Sequence, residues 1–152
     1  MLKPKDVAPL NISLKNNQDE VVSLKDFLGK KVVLYFYPKD NTPGCAKEAC
    51  SFRDFNDELK DLGIVVLGVS KDSVKSHQKF ITEQKLNFPL LSDPDHILAE
   101  AFGIWAKKKM MGREYMGMLR TTFLINEQGI IEKVWENVSP KNHAKEVWEY
   151  IK

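Results

Sequence analysis

The chain has 152 residues, of which 43% are hydrophobic and 29% are charged, as in soluble globular proteins. Its 23 basic and 21 acidic residues leave a net charge of +2, which gives no reason to expect a nucleic-acid or membrane partner. No segment has the apolar length of a signal peptide or a membrane span, so a cytoplasmic location is expected. A single domain, residues 1–152, is expected at this length.

The first half of the chain predicts a hairpin followed by a strand, a helix and a second strand. Two short apolar segments, 12–14 and 20–24, flank polar residues and predict an N-terminal β-hairpin. Residues 31–37 are almost all β-branched, aliphatic or aromatic, which is typical of a strand buried on both faces. Apolar side chains recur at helical spacing over 45–62, and 64–69 again predict a buried strand. This order predicts a βαβ unit.

The middle of the chain alternates helical and extended segments. Residues 73–85 have the spacing of an amphipathic helix. A short extended segment, 87–91, precedes a turn rich in aspartate and proline. A short helix is predicted over 96–102.

The last third predicts a second hairpin and a closing helix. Two apolar segments, 120–125 and 130–135, are joined by 126–129, Asn-Glu-Gln-Gly, which is a strong hairpin signal. Ser139 as N-cap and Pro140 at the first helical position predict a helix that runs to about residue 151. The pattern as a whole predicts an α/β fold with a mixed sheet and helices on both faces. The thioredoxin-like class fits it, although the pattern alone does not single out that class.

Both cysteines lie in one segment, which joins the end of a buried strand to the start of a helix. Open α/β sheets place ligands at this kind of junction. Cys45 is predicted in the first helical turn, where unpaired N–H groups and the positive end of the helix dipole favour a thiolate. Thiolate is the nucleophilic form of cysteine. The alternative is a small buried apolar residue, but the Thr-Pro-Gly turn just before Cys45 favours reactivity.

Cys50 follows Cys45 by five residues on the same predicted helix. An ideal helix places their Cα atoms about 8 to 9 Å apart. This exceeds the ~7 Å limit for a disulfide, so a bond between them requires the first turns to unwind. The alternative for Cys50 is a core residue on the apolar face with Ala49 and Phe52.

The segment resembles the active site of a known family. Pro38, Thr42 and Cys45 form PxxxTxxC, which is similar to the active-site motif of peroxiredoxins. The longer TPGCxxEAC, with residues 51–54 after it, resembles the bacterioferritin comigratory protein subfamily, also called PrxQ. The likeness spans almost the whole chain and continues through residues 68–73, 88–93, 112–117 and 120–125.

This resemblance implies a thioredoxin-like fold, with a central mixed β-sheet flanked by helices, and a thiol peroxidase activity. Cys45 is then the peroxidatic cysteine, which reduces hydrogen peroxide or an organic hydroperoxide and becomes a sulfenic acid. Cys50 is the resolving cysteine, which condenses with it to an intramolecular disulfide. Thioredoxin or a similar dithiol restores both thiols. The resemblance also implies a monomer and no metal or organic cofactor.

The resemblance also implies roles for the residues around the sulfur. Arg120 supplies a permanent cation that stabilises the thiolate and orients the peroxide. The Thr42 hydroxyl accepts from Arg120 or donates to the peroxide, and Pro38 shields the sulfur from water. The backbone N–H groups of Gly44 and Cys45 point at the reacting oxygens.

Two other functions are consistent with the residues alone. One is a thioredoxin-like reductase of protein disulfides, and the other is a redox sensor whose helix unwinding is passed to a partner.

The remaining polar residues are interpreted as structural. His77, His96 and His143 are expected at the surface or at helix caps, and Asp40 is expected in a turn. The basic triplet 107–109 is expected to be a solvated face. Packing within a loop before Arg120 is expected for Met110, Met111, Met116 and Met118.

Overall fold

A seven-stranded mixed sheet forms the centre of the computed structural model, which describes residues 1–152. The strands are β1 (Leu14–Asn16), β2 (Val21–Val22), β3 (Lys31–Phe36), β4 (Ile64–Ser70), β5 (Leu90–Ser92), β6 (Trp105–Met110), β7 (Arg113–Met118), β8 (Thr121–Ile125) and β9 (Ile131–Trp135). The α-helices are α1 (Pro43–Asp61), α2 (Val74–Gln84), α3 (Ile97–Phe102) and α4 (His143–Ile151). The strand order in the large sheet is β2-β1-β5-β4-β3-β8-β9, and β6 and β7 form a separate hairpin.

Strand β3 is an interior strand of the sheet, as its apolar side chains on both faces require. It pairs in parallel with β4 and antiparallel with β8. Helix α1 connects β3 to β4, which confirms the predicted βαβ unit. The carboxyl end of β3 therefore leads directly into the turn that carries the cysteines.

Two hydrophobic clusters cover the two faces of the sheet. Alternate residues of β3 divide between them: Val33 and Tyr35 face α1, α2 and α4, whereas Leu34 and Phe36 face α3 and the N-terminal segment. This arrangement confirms the predicted mixed sheet with helices on both faces. None of the helices has both the length and the apolar composition that crossing a bilayer requires.

Most predicted elements are present with bounds close to those expected. The N-terminal hairpin is confirmed, with β1 and β2 antiparallel, and so is the hairpin of β8 and β9. The turn between β8 and β9 ends at Gly129, whose φ of +79° suits glycine. Helices α2 and α3 differ from their predicted bounds by a residue at one or both ends.

The predicted start of the C-terminal helix is wrong. Helix α4 begins at His143 with Asn142 at the N-cap position, and residues before it form a turn. Pro140 lies instead against Gly44, since a Cβ added at Gly44 would be 3.6 Å from Pro140 Cγ. The ring of His143 bonds the hydroxyl of Thr122 at 2.7 Å, which fixes the first helical turn against β8. These tertiary contacts override the local capping signal.

The segment expected to be a loop before Arg120 is the β6–β7 hairpin. Its turn residues, Met111 and Gly112, both have positive φ, which is the geometry of a two-residue hairpin turn. The expected packing of the methionines within a loop holds only for Met118, which is buried. Met110 and Met111, like Met116, are exposed, because the hairpin projects from the main sheet.

Gly68 on β4 provides a test of this packing. A Cβ at this position would lie 2.7 Å from Leu90 Cδ2 and 2.9 Å from Tyr35 Cζ. We expect Gly68→Ala to lower the free energy of unfolding by about 1–3 kcal/mol, measured by urea denaturation. Ala101→Ser, at an exposed position of α3, is the control and should change it by less than about 0.5 kcal/mol. Equal urea midpoints for Gly68→Ala and Ala101→Ser would contradict the close packing of Gly68 against Leu90 and Tyr35.

Candidate active site

Cys45 lies in the first turn of α1. The helix begins with Pro43, which has no N–H to satisfy, and Thr42 occupies the N-cap position without capping the helix through its side chain. The amides of Gly44 and Cys45 therefore have no intrahelical acceptor and stay available at the positive end of the helix. The sulfur is almost completely buried, since Cys45 is 1% exposed.

Arg120 reaches Cys45 from the other side of the site. Its Nη2 lies 3.2 Å from Cys45 Sγ, and its Nη1 donates to Glu48 Oε1 at 2.6 Å. Arg120 directly precedes β8, and the pairing of β8 with β3 brings it beside the start of α1. Gly44 leaves space for the guanidinium, because a Cβ there would be 3.4 Å from Nη2. The structure thus brings Arg120 and Cys45 together, as predicted.

Glu48 is the third member of this cluster, and the sequence analysis missed it. It lies three residues after Cys45 on the same side of α1, and its side chain is fully buried. Burial raises the pKa of Glu48 to about 7, although the charge of Arg120 and its hydrogen bond act in the opposite direction. Its Oε2 has no hydrogen-bond partner in the protein. The available signal was the helical spacing of Glu48 from Cys45, which places both on one face.

The Arg120 guanidinium remains a permanent cation here. Burial acts to lower the pKa of Arg120, but Glu48 and Cys45 outweigh it, and the pKa is raised. A fixed positive charge next to the sulfur stabilises a thiolate more than a neutral thiol.

Thr42 and Pro38 flank the site but make different contacts from those expected. The hydroxyl of Thr42 donates to the carbonyl oxygen of Lys39 at 2.9 Å and does not bond Arg120. Pro38 is half-buried directly after β3, five residues before α1. Thr42 lies at the entrance of the helix, where the sequence placed it.

Cys50 lies on the same helix as Cys45, and both are free thiols. The alternative of a core position beside Ala49 and Phe52 is wrong, because those two are fully buried and Cys50 is only half-buried. Its Sγ donates weakly to Gln84 Oε1 at 3.5 Å. It borders a shallow pocket of about 290 Å³, whose other lining residues are Lys47, Ser51, Asp54, Phe55 and Lys141.

Two of the three histidines are buried, which contradicts the expected surface or capping roles. His77 is fully buried and its ring contacts Asp40, which lies in a turn as expected and is itself buried. His143 is 2% exposed and bonds the Thr122 hydroxyl. Burial lowers the pKa of His143 to about 4, although Glu146 acts to raise it. The polar partners that allow this burial lie far away in sequence.

The third histidine precedes α3, and the basic triplet lies on β6. His96 occupies the N-cap position of α3 but does not cap the helix through its side chain, which stacks on Trp105. The carboxylate of Asp93 accepts from the first amides of the helix instead. Lys108 differs from the solvated face expected for the triplet, because its ammonium donates to the carbonyl oxygen of Met118 at 3.0 Å. Its pKa is lowered by burial first and then by the charge of Arg120.

Comparison with known proteins identifies the family of this site. Residues 4–134 match the AhpC/TSA family. The chain belongs to this family. A putative peroxiredoxin bcp from Haemophilus influenzae is 51% identical over 140 residues, which cover 92% of this chain and 90% of that protein. The chain is thus a peroxiredoxin of the Bcp or PrxQ group, and an enzyme of the thiol peroxidase class.

Solved structures agree with this assignment and confirm the thioredoxin-like fold. A cysteine-to-serine mutant of PrxQ from Xylella fastidiosa superposes with a TM-score of 0.94 and 38% identity, over 99% of this chain and 95% of that one. The bacterioferritin comigratory protein of Xanthomonas campestris, studied for alkyl peroxide reduction, has a TM-score of 0.89 and 36% identity, over 96% of this chain and 97% of that one.

Glu48 and His143 give this peroxiredoxin two opposing contributions to the pH dependence of its stability. Glu48 has a pKa of about 7 in the folded protein against a usual 4.5, so the folded state binds more protons between these values and stability falls as pH rises. His143 has a pKa of about 4 against a usual 6.5, so the unfolded state binds more protons and stability rises with pH. The two ranges overlap between pH 4.5 and 6.5, and there the two contributions to stability largely cancel.

We expect Glu48→Gln to reveal this cancellation. The variant lacks the contribution that falls as pH rises. The free energy of unfolding of the variant minus that of the wild type should therefore increase by on the order of 3 kcal/mol between pH 4.5 and a pH above 7. Chemical denaturation of both proteins at a series of pH values measures the difference. Glu149→Gln, at an exposed carboxylate of α4, is the matched control and should give a difference independent of pH. A flat difference for Glu48→Gln would show that Glu48 is ionised throughout.

Proposed function

We propose that this peroxiredoxin reduces hydrogen peroxide and organic hydroperoxides with Cys45 as the peroxidatic cysteine. The observation that carries the proposal is the 3.2 Å contact between Arg120 Nη2 and Cys45 Sγ at the amino end of α1. The study of the Xanthomonas campestris relative for alkyl peroxide reduction supports organic hydroperoxides as substrates. The buried position of Cys45 favours small oxidants.

In the first step the Cys45 thiolate attacks one oxygen of the hydroperoxide. A sulfur–oxygen bond forms and the oxygen–oxygen bond breaks; the leaving hydroxide or alkoxide takes up a proton, and Cys45 becomes a sulfenic acid. Negative charge moves from sulfur to the leaving oxygen during this step. Arg120 and the free amides of Gly44 and Cys45 are already oriented at this place, so they stabilise the moving charge without reorganising.

Glu48 contributes by orienting the guanidinium. Its Oε1 accepts a hydrogen bond from Nη1 of Arg120 at 2.6 Å, and this bond leaves Nη2 directed at the sulfur of Cys45. Thr42 and Pro38 complete the site at its open edge. The Thr42 hydroxyl keeps lone pairs free while it donates to Lys39, and it can rotate to donate to a bound peroxide.

In the second step the Cys50 thiol attacks the sulfenic sulfur. A disulfide forms between Cys45 and Cys50, and water leaves. Because the Cα atoms of residues five apart on an intact helix lie about 8 to 9 Å apart, the first turns of α1 unwind before the bond closes. Unwinding breaks the contacts of Cys45 with Arg120 and of Cys50 with Gln84. The one side-chain hydrogen bond of Cys50 is this weak one, which favours release of its side chain when the helix opens.

A dithiol protein of the thioredoxin class then reduces the disulfide by thiol exchange. Half-exposed Cys50, at the shallow pocket beside Lys47 and Lys141, is the more accessible sulfur in the reduced protein. A cycle that depends on such a reductant fits the cytoplasm, where thiols are kept reduced. Both cysteines and Arg120 belong to one sheet-and-helix unit, which supports a single domain of residues 1–152 that works as a monomer.

The cysteine roles predict different outcomes for two serine variants. Cys45→Ser should abolish reaction with hydrogen peroxide, because it removes the nucleophile. Cys50→Ser should keep one rapid stoichiometric oxidation, because Cys45 and Arg120 are intact, but should form no intramolecular disulfide. Stopped-flow measurement of peroxide loss, with mass spectrometry of the protein, checks both. Equal loss of the first oxidation in the two variants would contradict the assignment.

The reductant is tested separately. With thioredoxin, thioredoxin reductase and NADPH, we expect hydroperoxide-dependent NADPH oxidation by the wild type and at least a tenfold slower rate, roughly, for Cys50→Ser, because the exchangeable disulfide is missing. Glutaredoxin with glutathione serves as the comparison system. Turnover with the glutaredoxin and glutathione system, and none with thioredoxin, would show that thioredoxin is not the reductant.

A further inference from the structure

A fully buried histidine lies beside the turn that leads into α1, and the proposed reaction does not use it. His77 on α2 is 0% exposed, and Asp40 in the turn is 7% exposed. His77 Nδ1 is 2.8 Å from Asp40 Oδ2, and Nε2 is 2.9 Å from the carbonyl oxygen of Leu91. Both ring nitrogens therefore face an oxygen of an acceptor group.

The number of protons in this cluster follows from its hydrogen bonds. A carbonyl oxygen carries no proton, so Nε2 must donate to Leu91. The short contact between Nδ1 and Asp40 then needs a second proton, which lies on the ring or on the carboxyl group. Asp40 also accepts from the hydroxyls of Tyr37 at 2.6 Å and Ser76 at 2.8 Å. Two hydroxyl donors on one carboxyl group favour its ionised form, which leaves the second proton on His77.

The same aspartate ties the turn to the sheet through its backbone. The amide of Asp40 donates to Asp72 Oδ2 at 2.8 Å, and that carboxylate also accepts from the Ser70 hydroxyl at 2.7 Å. Asp40 is thus bonded to the end of β3, to the turn after β4 and to α2. The N-cap position of α1 at Thr42 follows two residues later, after Asn41 with its φ of +59°. A displacement at Asp40 therefore moves the start of α1.

We propose that Asp40 and His77 form a buried ion pair that positions the amino end of α1, and Cys45 with it, against Arg120. The two are positioning residues, since neither bonds Cys45 or Arg120. The other titratable groups that face the pair are Tyr37, directly after β3, and Asp72 from the turn after β4. The proposal rests on the proposed function of Cys45 and adds the residues that hold the site in place.

The ion pair is tested by the nitrogen resonances of the His77 ring in the reduced, ¹⁵N-labelled protein at neutral pH. We expect both ring nitrogens of the wild type to carry protons. In Asp40→Asn the new amide donates to Nδ1, so this nitrogen should lose its proton while Nε2 keeps its own. A wild-type Nδ1 without a proton would overturn the ion pair. This measurement does not depend on activity. The wild-type spectrum alone tests the ion pair, even if a variant fails to fold.

The positioning role is tested by the rate of Cys45 oxidation and by the amide resonances of Gly44 and Cys45. We expect Asp40→Asn and His77→Gln to shift both amides and to lower the second-order rate constant with hydrogen peroxide by about 10- to 100-fold, because small displacements of reacting groups cost this much. Folded variants with wild-type amide shifts and rates would overturn positioning. If the wild type itself does not react, the proposed function fails, and the amide shifts still decide the positioning role.

His96→Gln is the matched control for these variants. Its ring also pairs with a carboxylate, Glu100, at 3.2 Å, but both residues belong to the region of α3. We expect this variant to keep the wild-type oxidation rate and the wild-type amide resonances of Gly44 and Cys45. A decrease equal to that of His77→Gln would show that loss of any histidine–carboxylate pair has the same effect, and would overturn the specific role of Asp40 and His77.

Discussion

The contact of one guanidinium with a sulfur and a buried carboxyl group is the interaction on which the site depends. Arg120 reaches Cys45 with one nitrogen and Glu48 with the other, at 3.2 and 2.6 Å. Arginine suits this place because its planar fork has several donors in fixed directions, which a lysine ammonium lacks. Each partner limits the freedom of the other two, so the charge that stabilises the thiolate is held in one place before any substrate arrives.

In the proposed cycle the same helix end has to serve two steps with opposite requirements. The proposed attack on a peroxide needs Cys45 fixed beside Arg120, whereas the proposed disulfide needs the first turns of α1 to open. The sequence of the helix entrance fits both. Pro43 and Gly44 contribute no side-chain cap, Thr42 leaves the helix uncapped, and the one side-chain hydrogen bond of Cys50 is a weak one to Gln84.

Three buried titratable residues lie on this helix or close to it, and each is placed by a partner from another part of the chain. Glu48 has Arg120, His143 has the Thr122 hydroxyl, and His77 has Asp40. Burying such groups is unfavourable unless they are hydrogen-bonded, so their burial indicates a site whose geometry is set by polar contacts as well as by apolar packing. Glu48 and His143 also respond to pH in opposite directions, so a protein with both is less sensitive to pH than either group alone would make it.

The sequence by itself determined the elements with strong local signals and the place of Cys45 in the first turn of a helix. The apolar run of β3, the helical spacing of α1 and the turn at Gly129 act over a few neighbouring residues, and the structure confirms them. Only the tertiary structure decided the burial of His77, the role of Glu48 beside Arg120 and the start of α4. The physical reason is distance along the chain: the burial of a polar group depends on its partner, which is 37 residues away for His77 and 72 for Glu48.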